Sequence, residues 1–351
     1  MTISYRLDDY DYELPGELIA QQPSPRREDC RLLVLERFTG RVSHHHFSDL
    51  VECLGEKDVL VLNDTRVVPA RLYGSKATGG RVELLILNPD QNLNRNTGIY
   101  RCLVKCSKKP RVGTRLILSE NVHATVVSPV EQGQCYIRLE TDRPLMELLD
   151  EIGHMPLPPY IRRGSDRQDD RNFYQTVYAR RPGAIAAPTA GLHFSDTLLR
   201  KLQRNRVELV WITLHVGYGS FNPIRVKDIR EHRMHPEYVE ISAHAAQRLN
   251  EAKKRGKRIV AVGTTVVRAL EWSVEVAGEV QPLAGLCDYY IYPGHRFRAV
   301  DALITNFHLP KSSLLLLVCA FAGRDEIMAA YREAIQRGYR FYSYGDAMLI
   351  V

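Results

Sequence analysis

At 351 residues and 44% hydrophobic, the chain is too long for one ordinary core and apolar enough to fill two, so two domains are expected. Lysine and arginine (48) outnumber aspartate and glutamate (41), giving +7 and a pI near 9.0, a balance that suits a polyanionic partner without requiring one. The seven cysteines are odd in number and form no C-x-x-C pair, which argues for reduced thiols and against a disulfide framework or a zinc site.

The first residues, "MTISYRLDDYDYELPGELIA", are acidic where a signal peptide carries positive charge. The longest apolar run, "LLLLVCAFAG" from Leu314, is about ten residues, against the ~20 that span a bilayer. A cytoplasmic protein that stays out of membranes is expected.

In chain order, "ELPGELIAQ" reads as a helix, "RLLVLE" as a strand, "FSDLVECL" as a helix and "DVLVLN" as a strand, the alternation of an α/β layer. "SHHHFS", at His44 to His46, reads as a solvated helix entry. After Asn63 come six short β-rich runs, "RLYGS", "RVELLIL", "YRCLVK", "TRLILS", "ATVVS" and "CYIRLE", separated by turn residues, which predict a small barrel or sandwich. "NPDQNLNRNTG" reads as an exposed loop within that stretch.

A helix, "PLMELLDEIG", and a stiff proline-rich segment, "MPLPPYI", follow. Alternation then resumes. "GAIAAP", "VELVWITLHV", "RIVAVG" and "CDYYIYPG" read as strands, and "SDTLLRKLQRN", "AHAAQRLNEAKKRG", "TVVRALEWSVEV" and "DEIMAAYREAIQRG" as helices. The fold class is therefore α/β: a layered α/β main domain formed by residues 1–65 and 152–351, interrupted by an inserted small β-barrel domain at 66–151.

Ligands bind α/β sheets at the carboxyl ends of strands, where strand-to-helix turns expose backbone N–H groups. Several such turns are polar here. "VLVLNDTRVVPAR" ends in Asn63, Asp64, Thr65 and Arg66, or is simply a capped turn at a domain boundary. "RIVAVGTTVVRALE" places Gly263, Thr264 and Thr265 at a helix start, where a carboxylate or phosphate could sit, with Arg268 and Glu271 on one face of that helix. "PGAIAAPTAGLHFS" carries Thr189 and His193 among small residues that let backbone approach a ligand, or else pack strand against helix. Further candidates are His215 in "TLHVGYGSF", His232, His235 and Glu237 in "EHRMHPEYVEI", Asp288 in "LCDYYIYPG", Thr305, Asn306 and His308 in "LITNFHLPKSS", and Asp346 in "YRFYSYGDAMLI". His232 and His235 lack the companions of a standard metal motif, so no metal site is expected.

Taken together, these stretches resemble the S-adenosylmethionine:tRNA ribosyltransferase-isomerase family of queuosine biosynthesis. The resemblance runs through "YELPGELIAQ", "VLVLNDTRVVPARLYG", "GGRVELLIL", "MPLPPYI", "YQTVYA", "APTAGLHFS", "TLHVG", "MHPEY", "AVGTTVVRALE", "YIYPG", "DALITNFHLPKSSLL" and "YSYGDAM" in that order. It implies an α/β domain with an inserted barrel. It implies transfer and isomerisation of the ribosyl part of S-adenosylmethionine onto 7-aminomethyl-7-deazaguanine at the wobble position of a tRNA with a GUN anticodon, releasing adenine and methionine. No cofactor is implied, because S-adenosylmethionine is consumed as a co-substrate, and a monomer is expected.

That chemistry needs a base for the C5′–H acidified by the sulfonium, a neutral attacking amine and a donor for the departing adenine. His193, His215 and His235 are the candidate proton carriers, with Asp64 and Asp288 as carboxylate rivals. The Gly263–Thr265 turn with Arg268 would hold the methionine carboxylate, and "TNFHLPKS" would meet adenine or the deazaguanine. Arg26, Arg27, Arg71, Lys108 and Lys109 are the expected tRNA phosphate contacts, and Tyr160 or Tyr178 a stacking platform for an unstacked base. Tyr218, Ser220, Cys287 and Trp272 depart from the family pattern, and Tyr218 and Trp272 would narrow a pocket. The rival readings are an S-adenosylmethionine-dependent RNA methyltransferase, whose glycine-rich turn is absent after the first strand, and a non-catalytic RNA-binding protein.

Overall fold

The computed structural model describes residues 3–87, 89, 98–162, 169–221 and 223–351. Most of the "NPDQNLNRNTG" loop lies outside them. Seventeen strands and eight α-helices are described, together with several 3₁₀ turns.

The chain begins with the hairpin β1 (Arg31–Glu36) and β2 (Arg41–His46), then α1 (Leu50–Cys53) and β3 (Asp58–Asn63). After β4 (Thr65–Val67) come the barrel strands β5 (Arg71–Lys76), β6 (Arg81–Ile86), β7 (Ile99–Cys106), β8 (Arg115–Ser119), β9 (Val122–Val126) and β10 (Gln134–Glu140). They close in the order β10-β7-β6-β5-β8-β9, so the six apolar runs of the sequence form a barrel and not a sandwich. The next elements are α2 (Leu145–Ile152), α3 (Asp170–Phe173), β11 (Arg181–Ala184), α4 (Asp196–Arg204), β12 (Glu208–Leu214), β13 (Glu237–Ile241) and α5 (Ala243–Lys254). The remainder is β14 (Arg258–Val262), α6 (Thr264–Ala277), β15 (Leu283–Cys287), β16 (Ala302–Asn306), α7 (Ser313–Ala322), α8 (Arg324–Gln336) and β17 (Ala347–Ile350).

Nine strands form the main sheet in the order β15-β13-β12-β3-β14-β16-β17-β1-β2, with β12, β3, β14 and β16 mutually parallel. Parallel strands must be covered on both faces, and the sequence supplies both. Val59, Val61, Ile259, Ala261 and Leu303 point to a core shared with α5 to α8; Leu60, Leu62, Val260, Val262 and Ile304 point to a second core shared with α1 and α4. α7, apolar all round and almost wholly buried, is the long leucine run of the sequence. Among the described residues, no helix is long and apolar enough to cross a membrane.

Four local expectations are corrected. "ELPGELIAQ" is not an α-helix: only a 3₁₀ turn, Gly16–Leu18, forms, and Ile19 and Ala20 pair with the backbone of Phe341 instead. "SHHHFS" contributes strand β2, whose register with β1 is fixed across six residue pairs, and His44 bonds Tyr339 and Glu333. The "GAIAAP" strand ends at Ala184 and pairs with β4 outside the main sheet, leaving Ala186 and Ala187 as buried irregular chain. "CDYYIYPG" is strand only to Cys287; its tyrosines then leave the sheet, and Tyr292 packs on Tyr290 and Tyr5.

Candidate active site

The carboxyl ends of β3, β12, β14 and β16 lie along one edge of the sheet, and a half-open cleft is built over part of it. β14 delivers Gly263 and the first turn of α6, Thr264 and Thr265. Gly263 has φ +90°, a left-handed conformation that favours glycine, and so turns the chain abruptly from strand to helix. β16 delivers Thr305 and Asn306, followed by Phe307, His308 and Leu309. The small-residue stretch delivers Ala187 and Pro188, then Thr189 and Ala190, which open a 3₁₀ turn that precedes the Ser195 cap of α4. Val216, Ser312, Leu314, Tyr160, Tyr342 and Ser343 complete the wall.

No Asp, Glu, Lys or Arg lines this cleft among the described residues. Its titratable side chains are Tyr160, Tyr342 and His308. Tyr160 donates or accepts a 2.6 Å hydrogen bond with Ser343, and burial pushes its phenol up to about 12, so it enters any reaction as a neutral group. Burial lowers His308 to about 3; its Nε2 is 3.2 Å from Thr305 Oγ1, and its carbonyl accepts from Tyr12. An imidazole held neutral keeps a lone pair at neutral pH.

Of the residues singled out in the sequence, Tyr160, Thr189, Gly263, Thr264, Thr265, Thr305, Asn306 and His308 line the cleft. The others do not, for identifiable reasons. Asn63 clamps β3 to β12: its side chain exchanges bonds with both backbone groups of Leu214. Thr65 bonds His215 Nδ1 at 2.7 Å, and the His215 ring stacks on Tyr238; the neighbouring Val216 reaches the cleft instead. Asp64 accepts from Thr213 and lines a separate cavity with Arg180, Arg181 and Glu240, where burial raises its carboxyl. Arg66, His235 and Asp288 are exposed, with the His235 ring lying against Gly219.

Arg268 is buried in an ion pair with Glu237, also donates to the carbonyls of Tyr289 and Cys287, and does not line the cleft. Glu271 accepts from the backbone N–H groups of Arg298, Ala299 and Val300. Asp346 accepts from the backbone N–H groups of Arg31 and Arg340. His193 lies behind Asn306, with Nε2 3.1 Å from Asn306 Nδ2 and Nδ1 3.1 Å from Cys30 Sγ, and it faces a smaller neighbouring cavity with Arg27. Burial, aided by Arg340 and Arg27, lowers its imidazole to about 3.

The basic candidates are scattered. Arg26 pairs with Asp29; Arg27 donates to the carbonyls of Leu192 and Asn172; Arg71 donates to Leu157 and pairs with Glu83; Lys108 and Lys109 are exposed on the barrel. Tyr178 is no stacking platform: it is buried beneath Gly191. Trp272 lies against Gly285 on the outer side of α6, and Cys287 is buried, so neither narrows the cleft; the Ser220 side chain lies outside the described residues. No group of three or more His, Cys, Asp or Glu that could hold a metal is present among the described residues.

The residues that sequence reasoning missed are chiefly Tyr342 and Ser343. The "YSYGDAM" segment pointed to the region, but nothing in it signals that Tyr342 adopts φ +71° and turns its side chain to the cleft, 4.7 Å from the Tyr160 ring. The turn closes through Gly345, whose N–H bonds the Tyr342 carbonyl; a Cβ on Gly345 would stand 2.5 Å from the Arg340 carbonyl. Gly345→Ala is therefore expected to cost roughly 1–3 kcal/mol of stability in chemical denaturation, and an unchanged midpoint would contradict the tight turn.

The sequence profile of the family described as "Queuosine biosynthesis protein" matches residues 7–350. Curated relatives named "S-adenosylmethionine:tRNA ribosyltransferase-isomerase" include one from Syntrophotalea carbinolica, 49% identical over 99% of this chain and 100% of its own length. Another, from Geotalea uraniireducens, is 49% identical over 98% of this chain and 99% of its own. A crystal structure of S-adenosylmethionine tRNA ribosyltransferase from Thermotoga maritima is 38% identical over 98% of this chain and 100% of its own, with a TM-score of 0.56. Likeness of this extent runs through both the sheet and the barrel, and the chain belongs to the S-adenosylmethionine:tRNA ribosyltransferase-isomerase family of queuosine biosynthesis enzymes.

Proposed function

We propose that this protein transfers and isomerises the ribosyl part of S-adenosylmethionine onto 7-aminomethyl-7-deazaguanine at the wobble position of tRNA with a GUN anticodon, giving epoxyqueuosine-tRNA, adenine and methionine. The observation that carries the reading is the uncharged cleft at the carboxyl edge of the sheet, walled by hydroxyls, small residues and tyrosines, in a chain related end to end to enzymes of that name. S-adenosylmethionine is consumed, so it is a substrate and not a cofactor. The enzyme works as a cytoplasmic monomer on this reading.

The sulfonium acidifies the adjacent C5′–H; a base takes that proton, the bond from C1′ to adenine breaks with a proton passing to adenine, the neutral amine of the modified base bonds the sugar and gives up a proton, and the C5′–S bond breaks so that methionine leaves with its sulfur. The methionine carboxylate is assigned to the backbone N–H groups at the start of α6, beyond Gly263, because that turn lines the cleft and Arg268 does not. Proton transfer is assigned to His308, because it alone among the candidate histidines lines the cleft. His308→Gln is expected to lower turnover about 100-fold or more while S-adenosylmethionine affinity changes only a few-fold; full activity in that variant would remove His308 from the chemistry.

The decisive experiment supplies S-adenosylmethionine and tRNA bearing 7-aminomethyl-7-deazaguanine, with guanine-bearing tRNA as control. Adenine and methionine released together, with mass gained only by the modified tRNA, is the expected result. S-adenosylhomocysteine would mean methyl transfer, and tRNA binding without products would mean a non-catalytic RNA-binding protein.

A further inference from the structure

We propose that the cleft is a nucleobase pocket in which Asn306 Oδ1 accepts a hydrogen bond from the exocyclic amino group of the adenine of S-adenosylmethionine, with His193 as the residue that positions the amide. The inference rests on the ribosyl-transfer reading and assigns one end of its substrate.

The argument begins with a backbone carbonyl, which can only accept. Asn306 has a side-chain amide atom 3.0 Å from the Tyr342 carbonyl, so that atom is the nitrogen, and the amide orientation is fixed. The same Nδ2 lies 3.1 Å from His193 Nε2, which must therefore be the unprotonated ring nitrogen. The ring proton is then on Nδ1, directed at Cys30 Sγ 3.1 Å away. Burial lowers the imidazole to about 3, which agrees with this single neutral tautomer. His193 also stays out of the cleft lining, so it holds Asn306 instead of moving a substrate proton.

The consequence falls on the other amide atom. With both Nδ2 hydrogens used, Asn306 Oδ1 has no hydrogen-bond partner among the described residues, although Asn306 is 3% exposed. A buried acceptor without a donor is costly, and one fixed in a cleft wall by its own neighbours is an acceptor kept for a ligand. The rest of the wall says what kind of donor it meets. Phe307, Leu309, Val216 and Tyr342 are apolar or aromatic, the other polar side chains are hydroxyls and the His308 imidazole, and among the described residues no carboxylate lines the wall to attract an ammonium group. A neutral N–H on a flat aromatic ring fits; the methionine ammonium does not. Adenine carries such a group on a molecule small enough to enter whole. The deazaguanine of tRNA stays tethered to its backbone and is the less suited to so buried an acceptor.

The test compares binding of S-adenosylmethionine with binding of its analogue bearing hydrogen in place of the adenine amino group, by calorimetry. Wild-type protein is expected to bind the analogue roughly tenfold or more weakly. Asn306→Ala should bind the two alike. His193→Gln should keep the wild-type preference, because the glutamine carbonyl can accept from Asn306 Nδ2, whereas His193→Ala should lose most of it; a merely structural histidine would not move this ratio.

Equal binding of the two ligands by wild-type protein overturns the proposal without any variant, so a misfolded Asn306→Ala leaves it open to refutation. A full preference retained in Asn306→Ala overturns it as well. Adenine and methionine released from S-adenosylmethionine by an enzyme that ignores the amino group would leave the reaction standing and remove only the nucleobase assignment. No binding of S-adenosylmethionine at all would remove both.

Discussion

Arg268→Met should lower the stability of the protein by about 3–5 kcal/mol and its melting temperature by roughly 5–10 °C, without acting selectively on substrate affinity. The Arg268 and Glu237 side chains are 3% and 2% exposed and ion-paired, joining α6 to β13. Removing the guanidinium strands a carboxylate away from water and also frees the carbonyls of Tyr289 and Cys287. The double variant Arg268→Met/Glu237→Gln should recover most of the loss, because glutamine carries no charge yet can still accept from the Gly217 N–H. A cleft residue would behave differently: Arg268→Met would then raise the KM for S-adenosylmethionine and leave the unfolding midpoint nearly unchanged. That outcome would return Arg268 to the site.

The Arg268 case also marks where the sequence stopped being readable. Helix α6 was legible from "GTTVVRALE", and so was its amino end at the carboxyl edge of a buried strand. Which face of α6 a charged side chain occupies depends on β13 and the chain at 287–289, which no local pattern places beside it. The same holds for Asn63, Thr65 and His215, polar residues at strand ends whose partners come from the strand alongside. They keep adjacent strands in register instead of facing a ligand. Patterns of period two and 3.6 report one chain segment against an unspecified core, so the barrel and central strands emerged clearly. "ELPGELIAQ" and "CDYYIYPG" failed because long-range contacts decide them: Phe341 binds Ile19 and Ala20, and Tyr292, off the sheet, packs edge-on against the distant Tyr5. The three polar turns that do face the cleft were legible because Gly263 and Asn306 stand at strand ends and small residues surround Thr189. Tyr342 was not, since a positive φ at a tyrosine has no sequence signature.

The second large effect is an acid limb in stability that begins near neutrality. His193 and His308 each titrate at about 3 in the folded protein, against 6.5 for the unperturbed group, chiefly because burial disfavours the imidazolium. A folded-state pKa below the unfolded one means that the unfolded chain binds more protons between the two values. The stabilisation from these histidines is therefore fully present above pH 6.5 and is lost as pH falls through 6.5 towards 3. Linkage gives about 2 kcal/mol lost per histidine between pH 7.5 and 5, so about 4 kcal/mol for the pair. Urea midpoints measured across that range should fall steeply, well before the carboxylates of ordinary ion pairs titrate. His193→Gln and His308→Gln should each flatten the limb by about one proton, whatever their effect on absolute stability, because glutamine does not titrate. A midpoint that stays level from pH 7.5 to 5 would mean that burial depresses neither imidazole. The order Cys30, His193, Asn306 would then hold only above the ordinary histidine pKa of about 6.5, and the preference for the adenine amino group should fade as pH falls below it.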